Sequence, residues 1–443
     1  MNELIGRKVM KKELNTDIDI SSAIQLPAMK EYGDKIECGR CGMKHLKAFV
    51  QLSQNFYFCP SCIQFGRVDS DEIFYHLPET QIVPREVLFI WQGQLTDGQQ
   101  EVSQNLRTII TKNRNGMIWA VTGAGKTEML FHAIYEALEE GKRVGLASPR
   151  VDVCLELYPR IQEVFPEEPI TLLHGKSEIP YNYTKLVICT THQLLRFYQA
   201  FDLLIIDEVD AFPYVNEQIL HIGAQNALKE TASLIYLTAT PTKELLQKQK
   251  INELETIILP ARYHRRKLPV PKLKWCFQWR KAINQGKIPK QMLSLLHLLM
   301  KKNNVLLFCP SIIVLEKLYT LMKKQLPDGM VAAVHSKDEE RAEKVMRMRK
   351  NEFRLFLTTT ILERGVTFDQ VSVMVLGAEH RVFTESALVQ IAGRVDRKMI
   401  HTNGEVWFVH DGQTREVKNS IRQIQQMNKL AEEQGLVDEL CLL

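Results

Sequence analysis

The feature that most limits what this chain can fold into is the stretch at residues 117–141. An apolar run, MIWAV (117–121), leads into the turn TGAGKT (122–127), and an amphipathic stretch follows that stops at Gly141. Apolar residues at helical spacing with a glycine just beyond them mark a helix and its end. Strand, glycine-rich turn and helix form a unit that hides its strand in a parallel sheet. The rhythm recurs in VGLAS (144–148), LVICT (186–190), LLIID (203–207) and SLIYLT (233–238). After a break it resumes with NVLLFCP (304–310), VAAVHS (331–336), RLFLTTT (354–360) and VSVMVL (371–376), and a helical region closes the chain over about 414–437. These runs predict two α/β lobes, each a parallel sheet covered on both faces. VLFIW (87–91) is expected to add a short buried strand.

The break falls at residues 262–290, which hold ten Lys or Arg, no Asp or Glu, and three prolines. We place the boundary between the lobes there. Within it Trp275, Phe277 and Trp279 alternate with Lys274, Cys276 and Gln278. The expectation is a strand opening the second lobe with its aromatics toward the core; the other reading is a stacking surface beside positive charge. At 443 residues the chain has room for about three domains. A hydrophobic fraction of 45% excludes a wholly disordered or collagen-like chain. No apolar run approaches the ~20 residues that cross a bilayer, and residues 1–15 lack a secretory apolar stretch, so a soluble, cytosolic protein is expected. Net charge is only +5, which permits nucleic acid as a partner without demanding it.

The turn carries chemistry. Gly123 and Gly125 let backbone N–H groups curl around phosphate oxygens, Lys126 can reach terminal phosphates, and the Thr127 hydroxyl can ligate Mg²⁺. The strict phosphate-loop pattern wants glycine at 120, where this chain has alanine. About 80 residues on, LLIIDEVD (203–210) places two carboxylates at the end of an apolar run. There Asp207 can hold Mg²⁺ and Glu208 can orient and deprotonate water.

Of nine cysteines, Cys154, Cys189, Cys276, Cys309 and Cys441 sit singly in apolar surroundings and read as small hydrophobes. Cys38, Cys41, Cys59 and Cys62 form C-x₂-C-x₁₇-C-x₂-C, the spacing of a structural zinc site. A segment of about 30 residues cannot fold on its own apolar surface, and bound zinc supplies ~10–16 kcal/mol. His45 is expected on the ribbon surface. Residues 57–58 suggest a short strand, and residues 1–35 read as a tail or partly ordered arm.

Taken in order, the motifs resemble those of superfamily-two helicases. AVTGAGKT (120–127) and DEVD (207–210) look like motifs I and II, and LTDGQQ (95–100) is similar to the Q motif. ASPR (147–150), TTHQLLRF (190–197), LTATP (237–241), FCPS (308–311), TTTILERGVTF (358–368) and QIAGRVDRK (390–398) resemble Ia, Ib, III, IV, V and VI. The resemblance implies two tandem RecA-like domains, over about 76–262 and 263–443, after a zinc ribbon at 36–75. It implies ATP held by Gln99, Thr122, Gly123, Ala124, Gly125, Lys126, Thr127, Glu128 and Gly365, with Mg²⁺ on Thr127 and Asp207. The spacing T-x-x-Q also makes a helix capping box from Thr96 to Gln99. Catalytic roles fall to Lys126, Asp207, Glu208, Gln390, Arg394 and Arg397; the two arginines are expected on one helix face, aimed at the γ-phosphate. Nucleic-acid backbone contacts fall to Arg150, Thr191, His192, Ser311 and Thr359. Asp396 stands where many relatives have glycine.

The ribbon before the motor narrows the resemblance to the competence DNA-uptake ATPases. It implies a motor on single-stranded DNA at the cytoplasmic face of the membrane, working with an uptake channel and other competence proteins. The primosomal replication-restart helicase, an RNA helicase and a nucleotide-switched DNA-binding adaptor are the alternatives.

Overall fold

The computed structural model describes residues 3–14, 18–53, 55–79, 83–175, 181–364, 368–397 and 403–438. Two units are formed: Met1–Trp119 with Lys126–Ile258, and Ala120–Gly125 with Leu259–Leu443.

In the first unit the apolar runs become the middle of a seven-stranded sheet. Across it lie Ile170–Leu173, Leu186–Thr190, Val144–Ser148, Phe201–Asp207, Leu228–Thr238, Gly116–Ala120 and Glu255–Leu259. The first six are parallel to their neighbours. Val144–Ser148 and Leu186–Thr190 are buried at every position, as continuous apolar strands covered on both faces must be. The helix after the phosphate loop is shorter than its periodicity suggested. A 3₁₀ turn at Glu128–Leu130 precedes Phe131–Glu139.

The segment 87–91 is not a strand. Val87 is buried while Leu88 and Ile90 are exposed, and Phe89 stacks on Tyr135 at 4.9 Å between ring centroids. Trp91 meets Phe131 edge-on. Its apolar side chains serve as a strap over the Phe131–Glu139 helix, so burial was met without sheet pairing.

Residues read as a tail are built into the fold. Val9–Met10 and Ile24–Pro27 flank Ile73–His76 in an antiparallel sheet. Met29–Tyr32, Lys35–Cys38 and Lys44–Leu46 form a second sheet, and Phe56–Tyr57 is the short strand expected before the last cysteine pair. Leu4, Met10, Ala28, Ile36 and Val50 are buried. The cysteine module shares one apolar cluster with Leu194, Leu195, Tyr214 and Leu220 of the α/β layer. A module too small for its own core completes it on a neighbour.

The second unit holds a six-stranded sheet in the order Lys272–Trp275, Val406–His410, Val371–Leu376, Asn304–Phe308, Leu355–Thr358, Val331–Val334. Every pair is parallel. Of the three aromatics, only Trp279 faces the core, with its indole N–H donating to Glu379 at 2.8 Å. Trp275 and Phe277 are 61% and 66% exposed, because Lys272–Trp275 is the edge strand.

Candidate nucleotide and metal sites

Cys38, Cys41, Cys59 and Cys62 are fully buried, and their sulfurs all lie within 4.8 Å of one another. Cys41–Cys59, Cys59–Cys62 and Cys38–Cys62 are 3.6, 3.7 and 3.8 Å apart. A tetrahedron with Zn–S bonds of about 2.3 Å has edges of about 3.8 Å, so the donor set fits zinc in number, chemistry and spacing. Four thiolates would close the coordination of a zinc ion, as in a structural site. His45 is half-buried rather than on the surface, with Nε2 3.7 Å from the Cys59 sulfur and 3.3 Å from the Ser61 hydroxyl. The described single cysteines, Cys154, Cys189, Cys276 and Cys309, are buried, and burial pushes each thiol up.

Parallel register brings the nucleotide motifs to one edge of the first sheet. Asp207 is level with Leu237, and Leu237 with Ile118. The chain therefore leaves neighbouring strands at one carboxyl edge after 120, 207 and 238, where open α/β sheets bind ligands. Two strand spacings put the Asp207 backbone about 10 Å from the strand that starts the phosphate loop, room for phosphates and a cation. Gly123 and Gly125 turn the loop at φ of +81° and +74°, a region closed to most side chains. Beyond it Lys126 is half-buried, Thr127 is buried, and Glu128 binds Arg160 at 2.5 Å.

Glu208, a non-glycine residue at φ +56°, donates its N–H to Asp207 Oδ1 at 2.8 Å. Such a strained turn persists only where its surroundings hold it. Sequence reasoning missed one of its supports. Asp210 is buried and accepts hydrogen bonds from Thr238 at 2.8 Å and Thr240 at 2.5 Å. The acidic turn is thereby tied to LTATP on the next strand, a link that only strand order reveals. Gln99 is buried in the capping box, accepting from the Thr96 N–H at 2.9 Å.

In the second unit Gln390 is buried in the Glu385–Ala392 helix, but Arg394 and Arg397 lie beyond its end. They do not share a helix face, because Asp396 at φ +50° breaks the turn. Aspartate tolerates the left-handed region better than most residues, which explains how it replaces glycine. Arg394 is buried and donates twice to the Glu363 carbonyl, at 3.0 and 2.6 Å. Gly393 has no substitute, since a Cβ there would lie 1.9 Å from the Thr122 hydroxyl.

Arg262, one charge among ten in the basic stretch, is 2% exposed. It donates to the carbonyls of Thr122, Gly393, Val395 and Asp396 at 2.8–3.2 Å. Burial lowers its pKa to about 10. Nothing in its local sequence separates it from Arg265 or Arg266. Gly365 lies outside the described residues.

The nucleic-acid candidates are placed unevenly. Arg150 begins the Val151–Val164 helix and Ser311 caps Ile312–Lys323, each half-buried, as is Thr359. Thr191 is fully buried. The His192 ring sits 5.6 Å from Phe65 of the cysteine module, and burial lowers its pKa.

Comparison with known proteins gives the family. Residues 92–243 match the family described as type III restriction enzyme, res subunit, and residues 289–399 match the helicase conserved C-terminal domain. Two parallel sheets bearing these motifs define a superfamily-two helicase-like ATPase, an enzyme class that works with ATP and Mg²⁺. Yeast Dbp5 bound to RNA and ADP BeF3 shares the fold, with a TM-score of 0.52 at 16% identity over 75% of this chain and 92% of that one. The chain belongs to the competence protein ComFA family. ComFA of Streptococcus pneumoniae (strain ATCC BAA-255 / R6) is 42% identical over 430 residues, 97% of this chain and 98% of its own length. ComFA of Bacillus subtilis (strain 168) is 42% identical over 402 residues, 90% of this chain and 86% of its own. Among the described residues no helix is long and apolar enough to cross a membrane.

Proposed function

We propose that this protein is an ATP-driven translocase on single-stranded DNA that helps draw transforming DNA into the cytoplasm. The observation that carries the reading is a phosphate loop and a DEVD turn on one sheet edge, in a chain 42% identical to ComFA along nearly its whole length. In this reading Lys126 and the loop N–H groups bind the triphosphate, and Thr127 and Asp207 hold Mg²⁺, which offsets phosphate charge. Glu208 orients and deprotonates the attacking water, while Arg394 and Arg397, with Gln390, stabilise charge on the γ-phosphate. Gln99 reads the adenine edge. Arg150, His192, Ser311 and Thr359 contact the sugar-phosphate backbone without reading bases, as suits a motor that must accept any sequence; the full burial of Thr191 leaves it out of this set. The protein would act at the inner face of the membrane beside a DNA channel and other competence proteins.

The test is ATP hydrolysis by purified protein with single-stranded DNA, duplex DNA or RNA. Marked stimulation by single-stranded DNA is the expected result. Hydrolysis that no nucleic acid stimulates would sink the motor reading, and equal stimulation by RNA would move the substrate to RNA.

A further inference from the structure

We infer that the outer face of the three-stranded sheet in the cysteine module is a second binding surface for single-stranded nucleic acid, separate from the helicase motifs. The proposal rests on the translocase reading and extends it.

Strand register defines the face. Lys30 is opposite Glu37 and Glu37 opposite Lys44; Tyr32 is opposite Lys35 and Lys35 opposite Leu46. Residues opposite each other, and residues two apart on a strand, point to one side. One side therefore carries Lys30, Tyr32, Lys35, Glu37, Lys44 and Leu46. The other carries Met29, Ile36 and Cys38, which are buried, with half-buried His45 and, at its margin, exposed Glu31.

The outward side is exposed at every position except Glu37, which is half-buried. Tyr32 is 44% and Leu46 39% exposed. Three residues beyond Leu46, Phe49 is 80% exposed, the highest value for any large hydrophobic residue described. A ribbon short of apolar residues for its own core gains nothing in stability by leaving these in water.

Charge identifies the occupant. The Lys44 and Lys30 ammonium groups lie 4.9 and 5.6 Å from the Tyr32 ring centroid, one aromatic face flanked by two cations. Lys44 also pairs with Glu37 at 3.4 Å, whereas no ion pair among the described residues involves Lys30 or Lys35. An aromatic ring set among lysines on an open sheet is how proteins hold single strands, with bases stacked on the ring and phosphates on the cations. A duplex hides its base faces and an apolar partner has no use for the lysines. The ribbon also reaches the motor through Phe65 against His192.

The experiment compares wild type, Tyr32→Ala with Phe49→Ala, Tyr32→Phe, and Lys30→Gln with Lys35→Gln and Lys44→Gln, all as full-length zinc-loaded protein. Binding of a fluorescent oligo-dT is measured across a salt series, with zinc content as the check on folding. Removing the rings should weaken binding about tenfold or more, and Tyr32→Phe should bind as wild type does. Removing the lysines should flatten the dependence of log K on log salt by about 2, at ~0.7 per phosphate contact. ATP hydrolysis without DNA should stay unchanged. Wild type that binds DNA while every variant binds equally, with an equal salt slope, overturns this proposal and leaves the face to a protein partner. Wild type that binds no single strand overturns the translocase reading itself.

Discussion

The cysteine module and the α/β units solve the folding problem in opposite ways. The module spreads few apolar residues over short strands and concentrates its specification in four sulfurs. The sheets are specified many times over, by a dozen apolar strands any one of which tolerates some change, and concentrate their chemistry in a few loop residues. Loss of one residue should therefore unfold the module but silence the sheets. A single substitution is a structural insult in one region and a chemical one in the other.

The largest effect that would break this contrast is at the metal. Cys38→Ala should remove most of the ~10–16 kcal/mol that zinc bound by these sulfurs would contribute to the module. Because the module shares a core with the first sheet's layer, the melting temperature of the whole chain should fall as well. Unchanged zinc content by elemental analysis would refute the ligand assignment. Lys126→Ala should do the reverse, cutting hydrolysis about 10³-fold while the melting temperature of nucleotide-free protein stays within a degree or two of wild type. A large thermal loss would show that the lysine belongs to the fold.

Arg262→Met sharpens the comparison, since here a sheet unit does depend on one side chain. It strips the donor from four carbonyls and should cost about 3 kcal/mol in denaturant unfolding. Arg262→Lys should recover only part of that, having no planar fork. Melting like wild type in both variants would mean that water replaces the guanidinium at no cost. The smallest effect is expected for Asp396→Gly, within about 1 kcal/mol, because glycine is at ease at φ +50° and the Gly404 N–H contact to the carboxylate that it loses is long, at 3.4 Å. Chemical denaturation reads this directly, and a loss beyond 2 kcal/mol would give the carboxylate a larger part.

Strands such as Val144–Ser148 and Val371–Leu376 were legible because a buried parallel strand needs an unbroken apolar run. Ile170–Leu173 was not, since a strand at a sheet edge needs less burial and carries less pattern; Lys272–Trp275 was expected as a strand, but its edge position turned Trp275 outward. The segment 87–91 misled for the converse reason: its apolar residues are packed against a helix, and packing alone does not declare a strand.

The sequence by itself determined the four-sulfur cluster, the phosphate loop and the acidic turn, because each is a local spacing of residues with narrow chemistry. Tertiary structure alone decided which strands are neighbours, and hence that Asp210 meets Thr238 and Thr240. It also selected Arg262 from ten like charges, set Arg394 and Arg397 beyond a helix end, and turned Tyr32 and three lysines to one face. Those outcomes depend on pairing across long stretches of chain, where register rather than residue type chooses the partner.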